Sequence, residues 1–236
     1  QSFVCEPSGK CRRRNQPSES NGNIAVENAE SGTEWLTSTD ERFRPVNLYN
    51  GPSGGLYIVD MYRGLVQHRI YLTSYLRAQA ESRGLEKEID KGRIYRVVYK
   101  GASKSLQNLA KASGKQLVSA LSSENGWTRD TAQRLLVESS EDVNADLAKL
   151  ATDGGHALGR VHALWALEGR AAISPAVVLD ALSDSDRGVR MAAARIAEPW
   201  LKLPGSDAII DQLVLNTGAD DITELRQMVL SLGAHG

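Results

Sequence analysis

The sequence predicts two domains of different kinds, a β-rich domain over residues 1–101 and a helical domain over residues 102–236. Up to Gly101, short runs of β-branched and aromatic residues alternate with clusters of Gly, Asn and Pro, which is the pattern of antiparallel strands joined by turns. After Gly101 these runs stop, and amphipathic helical segments recur in pairs. A length of 236 residues is enough for two domains that each bury their own core.

Five runs in the first domain predict strands: "SFVCE", "NIAVENA", "RPVNLY", "GLYIVDMY" and "GRIYRVVYK". Between the last two, about residues 70–90 predict a helical insert, because Leu72, Leu76 and Ala80 recur at helical spacing. Thr73 is expected to cap the start of this helix and Gly84 to end it. The clusters "NQPSESNGN" and "NGPSGG" are expected to form turns, since Gly, Asn and Pro supply the backbone angles that turns require.

The helical domain contains a repeat that is marked by Arg129, Arg160, Arg190 and Arg226, at spacings of 31, 30 and 36 residues. Apolar residues stand three and six positions after each arginine, and a second apolar helix precedes each segment across a short loop. Such helical pairs cannot bury their apolar faces alone and must stack on neighbours. The pattern resembles the HEAT family over about residues 117–232, which implies a solenoid of about four repeats that scaffolds or binds partner proteins. The alternative is an irregular helical domain whose segments align by chance.

Composition and charge limit the function classes. The formal net charge is −1, with 15 Lys and Arg against 12 Asp and Glu through Gly101 and 13 against 17 beyond it. This imbalance is too small to predict nucleic acid as a partner, and no apolar run reaches the ~18 residues of a membrane helix. Cys5 and Cys11 lie six residues apart with no histidine nearby, which argues against a zinc site. A disulfide and two unrelated buried thiols both remain open for them.

Four motifs carry a wider resemblance: "FVCEP", "STDERFRPVNLYNGPSGGLYIVDMYRG", "GRIYRVV" and "NGWTRDTAQRLLVE". With them the chain resembles the C-terminal part of the membrane-bound dehydrogenases of planctomycetes and verrucomicrobia, in which a sugar dehydrogenase-like β-propeller runs into HEAT repeats. The resemblance implies a β + α multidomain fold, with the last blade or blades of a partial β-propeller in residues 1–101 and a HEAT-repeat solenoid in residues 102–236. It also implies an exported, periplasmic or membrane-associated parent protein, of which we expect this chain to be a segment.

Arg42 and Arg44 stand at alternate positions in "RFRPV", just before a predicted strand. In a strand they would project to one side, roughly 6.5 to 7 Å apart, and face a common partner. The propeller of the family is similar to that of the soluble quinoprotein glucose dehydrogenases, in which an Arg-x-Arg pair contacts the carboxylates of pyrroloquinoline quinone (PQQ). The resemblance therefore implies that Arg42 and Arg44 bind PQQ, because guanidinium groups grip carboxylates through two parallel hydrogen bonds. The alternative is an exposed strand of mixed charge, since Asp40 and Glu41 are adjacent.

The other candidates are single polar residues. His68 is expected to be a surface or packing residue, and His162 is expected to be a satisfied, half-buried imidazole within a repeat. Asp60 and Arg63 either form an ion pair that fixes the end of a strand or have a purely structural role. By the resemblance, the general base, the calcium ligands and a haem c domain belong to other segments of the parent protein, so no catalytic residue and no metal ligand is predicted here.

Two functions follow from these expectations. In the first, the chain is the C-terminal part of a PQQ-dependent sugar or alcohol dehydrogenase, whose β-rich domain contacts the cofactor and whose helical repeats dock a protein electron acceptor. In the second, it is a non-catalytic protein-interaction module in which a vestigial β-sheet caps a helical scaffold. Without the histidine base of the family, this chain alone is not expected to turn over substrate.

Overall fold

The structure is a computed structural model that describes residues 2–7, 9, 11–66, 68–87, 89–101, 108–153 and 155–235. The chain divides into two compact units, Gln1–Ser105 and Leu106–Gly236, which we name the β-rich unit and the helical unit. The boundary predicted after residue 101 borders residues 102–107, which lie outside the described residues. None of the helices in the described ranges combines the length and the apolar character that crossing a membrane requires.

The first sheet of the β-rich unit is an antiparallel meander of β1 (Ser2–Glu6), β2 (Cys11–Ser20) and β3 (Asn23–Asn28), and the two-residue β4 (Leu36–Thr37) also pairs with β2. Asn21 and Gly22 join β2 to β3 with φ of 50° and 69°, as the Asn-Gly sequence of a two-residue hairpin requires. The turn predicted in "NQPSESNGN" is confirmed there, but most of that cluster belongs to β2. The side chain of Cys11 lies outside the described part, so both alternatives for the cysteines stay open.

Pro17 lies within β2 without breaking a hydrogen-bonded pair. Residues 11–15 of β2 pair with β1, whereas residues 16–20 pair with β3 alone among the described strands. The Arg14 carbonyl accepts from the Ala29 amide on the β3 side. Because backbone groups alternate in direction along a strand, those of Gln16 also point to β3 and those of Pro17 point away from it. A proline is tolerated at that position, since it has no N–H to donate.

The second sheet has the antiparallel order β5 (Pro45–Asn50), β6 (Leu56–Asp60) and β7 (Arg93–Val97). A 3-10 turn at Arg69–Tyr71 and helix α1 (Ser74–Ser82) occupy the long connection between β6 and β7, where an insert was predicted. The Thr73 hydroxyl accepts from the Leu76 amide at the start of α1, and Gly84 follows its end with φ of 60°. Both predicted helix signals are confirmed.

The prediction of a partial β-propeller is wrong. A propeller consists of four-stranded blades repeated around a central channel, whereas the described strands form two separate small antiparallel sheets. All six residues of β3 are exposed, including Ile24 at 74% and Val26 at 57%, which is not the packing of a blade between two neighbours. The prediction failed because strand periodicity and turn residues define local hairpins, but they do not define how the sheets are arranged.

The helical unit contains eight α-helices within its described residues: α2 (Gly114–Ala120), α3 (Gly126–Glu138), α4 (Asn144–Asp153), α5 (Ala157–Gly169), α6 (Pro175–Leu182), α7 (Arg187–Ala197), α8 (Asp207–Asn216) and α9 (Ile222–His235). Helix α5 packs against α3, α4 and α7, and α7 packs in turn against α6 and α9. One apolar core runs through the unit and includes the fully buried Leu121, Leu147, Leu164 and Leu182.

Four of these helices begin at equivalent residues. The N-caps of α3, α5 and α7 are Asn125, His156 and Asp186, and Oδ1 of Asp221 accepts the first free amides of α9. The position four residues after each of these is occupied by Arg129, Arg160, Arg190 and Leu225. Arg226 is therefore one residue out of register, and the alignment on four arginines is wrong in its last copy.

The prediction of a regular HEAT-repeat solenoid is wrong as well, and the fold class is mixed α and β. The helices of the unit vary from 7 residues in α2 to 14 in α9. The spacing of the equivalent starting residues rises from 31 and 30 to 35, because a 3-10 turn at Glu198–Trp200 lengthens the connection from α7 to α8. Apolar periodicity predicted the helices, but it does not determine whether successive pairs are geometrically equivalent.

Candidate functional site

Arg42 and Arg44 lie immediately before β5, which begins at Pro45, and not within a strand. The amide of Arg42 donates to Oδ1 of Asp40 (2.9 Å), and its Nη2 donates to the carbonyl oxygen of Gly84 (3.2 Å). The hydrogen bond from the Arg42 amide lowers the pKa of the Asp40 carboxyl. Arg42 thus connects the segment before β5 to the residue that follows α1.

Arg44 is buried, with 9% of its surface exposed. Its guanidinium binds main-chain carbonyl oxygens, since Nη1 donates to those of Pro7 and Phe43 (both 3.3 Å) and Nη2 donates to that of Gly64 (2.8 Å). Burial lowers the pKa of this guanidinium, and nearby carboxylates, that of Glu41 foremost, oppose the shift. Arg44 therefore connects the start of β5, through hydrogen bonds, to the chain after β1 and to the chain after β6.

Asp60, the last residue of β6, is buried and also binds the start of β5. We name the place where the chain before β5 meets the chain after β6 the junction. Its Oδ1 accepts from the amides of Arg44 (2.8 Å) and Tyr62 (2.9 Å). Tyr62 has a φ of 50°, a left-handed conformation that is uncommon for an aromatic residue, and the Arg93 guanidinium lies 3.6 Å from the centre of its ring. Asp60 is therefore a structural residue, as one of the two interpretations predicted, and its hydrogen bonds go to main-chain amides rather than to Arg63.

A cleft of about 390 Å³ adjoins this junction. The cleft is lined by the basic residues Arg63, His68 and Lys87, the acidic residue Glu86, and the apolar residues Leu65, Leu85 and Ile89. Arg63 and Leu65 flank Gly64, and Leu85 follows Gly84, so the carbonyl groups that Arg44 and Arg42 bind belong to residues next to the cleft lining. A Cβ atom at Gly64 would lie 2.4 Å from the Leu85 carbonyl oxygen, which requires a glycine where the two walls meet.

The cleft combines two basic residues, Arg63 and Lys87, and one acidic residue, Glu86, with an apolar surface. Arg63 and Lys87 are exposed cations, and His68 packs edge to face on Tyr71 with ring centres 6.4 Å apart. His68 is thus the exposed packing residue that the sequence predicted. A volume of this size lies within the range of about 300–1,000 Å³ for small-molecule sites. The arrangement suits an anion with an apolar body, because guanidinium and ammonium groups bind carboxylates and the apolar residues contact the body.

The two arginines that were predicted to hold PQQ offer few free donors. Arg44 uses both Nη atoms on carbonyl oxygens, and within the described residues the buried Nε atoms of Arg42 and Arg44 have no hydrogen-bond partner. A two-bond grip on a carboxylate needs two parallel N–H groups of one guanidinium, which Arg44 does not present. Arg63 and Lys87 fit a carboxylated ligand better, with Arg42 and Arg44 fixing the walls around them. Direct contact of Arg42 and Arg44 with PQQ stays a prediction.

His162 of the helical unit is the satisfied, half-buried imidazole that the sequence predicted. Its Nε2 accepts from Nε of Arg129 (3.3 Å), so the hydrogen resides on Nδ1 and is donated to Oε1 of Gln133 (2.6 Å). Burial lowers the pKa of His162, and the positive charge of Arg129 acts in the same direction. In the ranges that the structure describes, no three His, Cys, Asp or Glu side chains are grouped so that they could hold a metal ion.

Sequence reasoning missed two residues of this region. Lys87 reaches the cleft from the far side of the helical insert, and no spacing pattern links it to Arg63. Tyr62 stands in "VDMYRG", where the run of strand residues ends, but nothing in that string signals a positive φ. Both depend on how the insert folds back on the end of β6, which a local sequence pattern does not encode.

The fold and the cleft define a two-unit protein of mixed α and β structure, with a small-molecule-sized cleft in the β-rich unit. Residues 1–101 match a family model described as "Domain of unknown function (DUF7133)". This match covers both sheets and the cleft, so the chain is similar to that family over its β-rich unit. No curated protein and no solved structure matches the chain.

Proposed function

We propose that this chain is part of a PQQ-dependent dehydrogenase-like protein that acts on a sugar or alcohol, and that its β-rich unit contributes cofactor contacts through the cleft. The observation that carries the proposal is the lining of that cleft, in which Arg63 and Lys87 stand beside Leu65, Leu85 and Ile89. PQQ combines three carboxylates with a flat ring system, so it needs cations and apolar contacts in one place.

The residues of this chain have distinct parts in the proposal. Arg63 and Lys87 bind carboxylates, and His68 offers a further polar contact at the cleft. Arg42 and Arg44 position the walls through the carbonyl groups of Gly84 and Gly64. When bound, the quinone supplies the hydride acceptor for oxidation of a substrate alcohol, and the protein holds and orients it.

The remaining parts of the proposal concern the parent protein. The helical unit docks a protein electron acceptor, while calcium and haem c sites and the general base belong to other segments. The parent is exported, periplasmic or membrane-associated. No nucleic acid partner is proposed, because the net charge of −1 provides no basic surface in excess.

Titration of the whole chain with PQQ, followed by equilibrium dialysis, tests the proposal. Wild-type chain is expected to bind saturably, and the double variant Arg63→Ala, Lys87→Ala is expected to bind at least about tenfold more weakly, since two charge-assisted contacts are lost. The matched control is Arg134→Ala, Lys149→Ala on the helical unit, which removes one arginine and one lysine that do not line the cleft. Absence of saturation, or equal losses in both double variants, would overturn the proposal.

A second candidate is the non-catalytic protein-interaction module. The observation in its favour is the set of large apolar side chains exposed on the last two helices: Val214, Leu215, Ile222, Val229 and Leu230. Exposed apolar side chains that form one patch mark protein-binding surfaces, and these five residues stand on two helices that pack against each other. The two candidates differ in the Arg63→Ala, Lys87→Ala variant, which loses ligand binding under the first and keeps protein binding through the helical unit under the second.

A further inference from the structure

Four non-glycine residues in the described part of the chain have a positive φ, and three of them have a local explanation. Asn21 (50°) and Asp90 (69°) are of residue types that adopt this conformation readily. Ala171 (52°) directly follows the C-cap of α5, a position at which helices commonly end in the left-handed conformation. Tyr62 (50°) has neither explanation, because it is aromatic and lies two residues after the end of a strand.

The main chain around Tyr62 is held by hydrogen bonds on both sides. The Tyr62 amide donates to Oδ1 of Asp60 (2.9 Å). Before it, the Met61 amide donates to the Arg44 carbonyl oxygen (2.9 Å), and after it, the Gly64 carbonyl oxygen accepts from Nη2 of Arg44 (2.8 Å). This short segment is therefore fixed through its main chain at three points.

The side chain of Tyr62 is held as well. The guanidinium of Arg93, at the start of β7, lies 3.6 Å from the centre of the Tyr62 ring, and a cation over an aromatic face is attracted by the ring. A hydrogen bond with the Asp40 carboxylate raises the pKa of the Tyr62 hydroxyl. Backbone strain persists only where the surroundings enforce it, and such residues are concentrated at ligand sites.

The residue that follows Tyr62 is Arg63, which lines the cleft. Asp60 and Gly64 are buried, whereas Arg63 is exposed. A different φ at Tyr62 would rotate the chain that follows it and would move Arg63 relative to the rest of the cleft lining, since φ and ψ are the soft torsions of the backbone. The strained residue thus lies where it determines the placement of a cation of the cleft.

We propose that Tyr62 is a positioning residue of the cleft, whose enforced positive φ fixes the backbone of Arg63 so that the guanidinium can bind a carboxylate of the ligand. A group that is already held in place loses less conformational freedom on binding, which increases affinity. This inference deepens the proposed function and rests on it for the identity of the ligand, PQQ. The order of the Arg63 backbone can be measured without any ligand.

Two substitutions of Tyr62 separate the effect of its backbone from that of its side chain. Asparagine and valine both lack the ring and the hydroxyl, but asparagine adopts a positive φ readily and the β-branched valine does not. In equilibrium dialysis of the full chain, Tyr62→Val is expected to weaken PQQ binding at least about tenfold and Tyr62→Asn about threefold or less. Ala171→Val is the matched control, because it places the same β-branched residue at a positive φ in the helical unit, and it is expected to leave PQQ binding unchanged.

NMR relaxation of the Arg63 backbone amide tests the positioning without a ligand. The order parameter is expected to be that of rigid backbone, about 0.85, in the wild type and in Tyr62→Asn, and to fall below about 0.6 in Tyr62→Val. Tyr62→Ala opposes a positive φ less strongly, so it should show a smaller decrease in the same direction and provides the test if Tyr62→Val does not fold.

The outcomes separate this inference from the proposed function. A wild type that binds no PQQ would overturn the proposed function, and the order parameters of Arg63 would then decide the role of Tyr62 alone. Equal order parameters in the wild type and in the valine and alanine variants would overturn that role. In a chain that binds PQQ, equal affinities of Tyr62→Asn and Tyr62→Val, or equal losses in Tyr62→Val and Ala171→Val, would overturn it as well.

Discussion

The β-rich unit and the helical unit each contain an arginine whose guanidinium makes several hydrogen bonds, but the groups that compensate its positive charge differ. Arg190 in the helical unit makes a two-bond ion pair with Glu224, which is 1% exposed, and donates to the carbonyl oxygens of Asp184 and Ser185 (2.6 and 3.0 Å). Within the described ranges, the Arg44 side chain in the β-rich unit binds carbonyl oxygens and no carboxylate. The first arrangement links two neighbouring helices, and the second links three separate chain segments.

The difference reflects how much apolar core each unit has. The helical unit buries a continuous set of apolar residues from Leu109 to Met228. Among the described residues of the β-rich unit, the buried apolar side chains are Phe43, Pro45, Ile58 and Ala80. A unit with so small a core depends more on its polar junctions for a defined structure, because few apolar contacts fix the relative position of its segments.

The largest effect is expected from breaking the ion pair of the helical unit. Glu224→Ala leaves Arg190 without its carboxylate partner in a mostly buried site, which should reduce the free energy of unfolding by about 3 kcal/mol. Urea unfolding followed by circular dichroism measures the change. Glu138→Ala is the control, because the Arg134–Glu138 pair is exposed at 60% and 57%, and its loss should change stability by about 0.5 kcal/mol or less. Equal losses in the two variants would contradict the comparison.

A smaller effect is expected from Arg44→Met, which leaves the carbonyl groups of Pro7 and Gly64 without their donor. The β-rich unit should lose about 2 kcal/mol of stability, and hydrogen exchange should increase at amides around Gly64 more than in the helical unit. Arg13→Met is the control, since the side chain of Arg13 is 55% exposed in its pair with Glu34. An unchanged exchange pattern in Arg44→Met would show that this junction does not hold the unit together.

The smallest effect concerns pH and His162. Burial and Arg129 lower the folded-state pKa of His162 below its ordinary value of 6.5, so the unfolded chain binds the proton more readily. Stability from the neutral imidazole is therefore fully present above about pH 6.5 and decreases as the pH falls below that value. His162→Gln should remove this part of the pH dependence of the free energy of unfolding, whereas His156→Gln should leave it. An identical acid response in wild type and His162→Gln would refute the assignment.

The sequence predicted elements whose causes are local. The helix cap at Thr73 was predicted because a side-chain oxygen just before an apolar helical run commonly accepts from the first free amides of the helix. The register of α9 was not, since Arg226 matches the arginine pattern by residue type while the cap at Asp221 places Leu225 at the equivalent position. Strand β2 was also missed, because its Pro, Asn and Ser residues favour turns when they are considered one at a time.

The candidate site was predictable only in part. Arg42 and Arg44 were predicted to face one common partner, yet their side chains donate to the carbonyl groups of different residues, and every residue has such a group. No sequence pattern therefore predicts the contacts of Arg44 with Pro7, 37 residues away, and with Gly64, 20 residues away. Lys87 and Arg63 come together through the insert, and no periodicity relates them.

The proline within β2 has a consequence for behaviour at high concentration. Its ring stands on the side of β2 where none of the described strands pairs with residues 16–20, and amide groups at such an edge would favour strand addition from another molecule. Pro17 removes one donor from that edge and obstructs its approach. Pro17 thus also protects the first sheet against edge-to-edge aggregation.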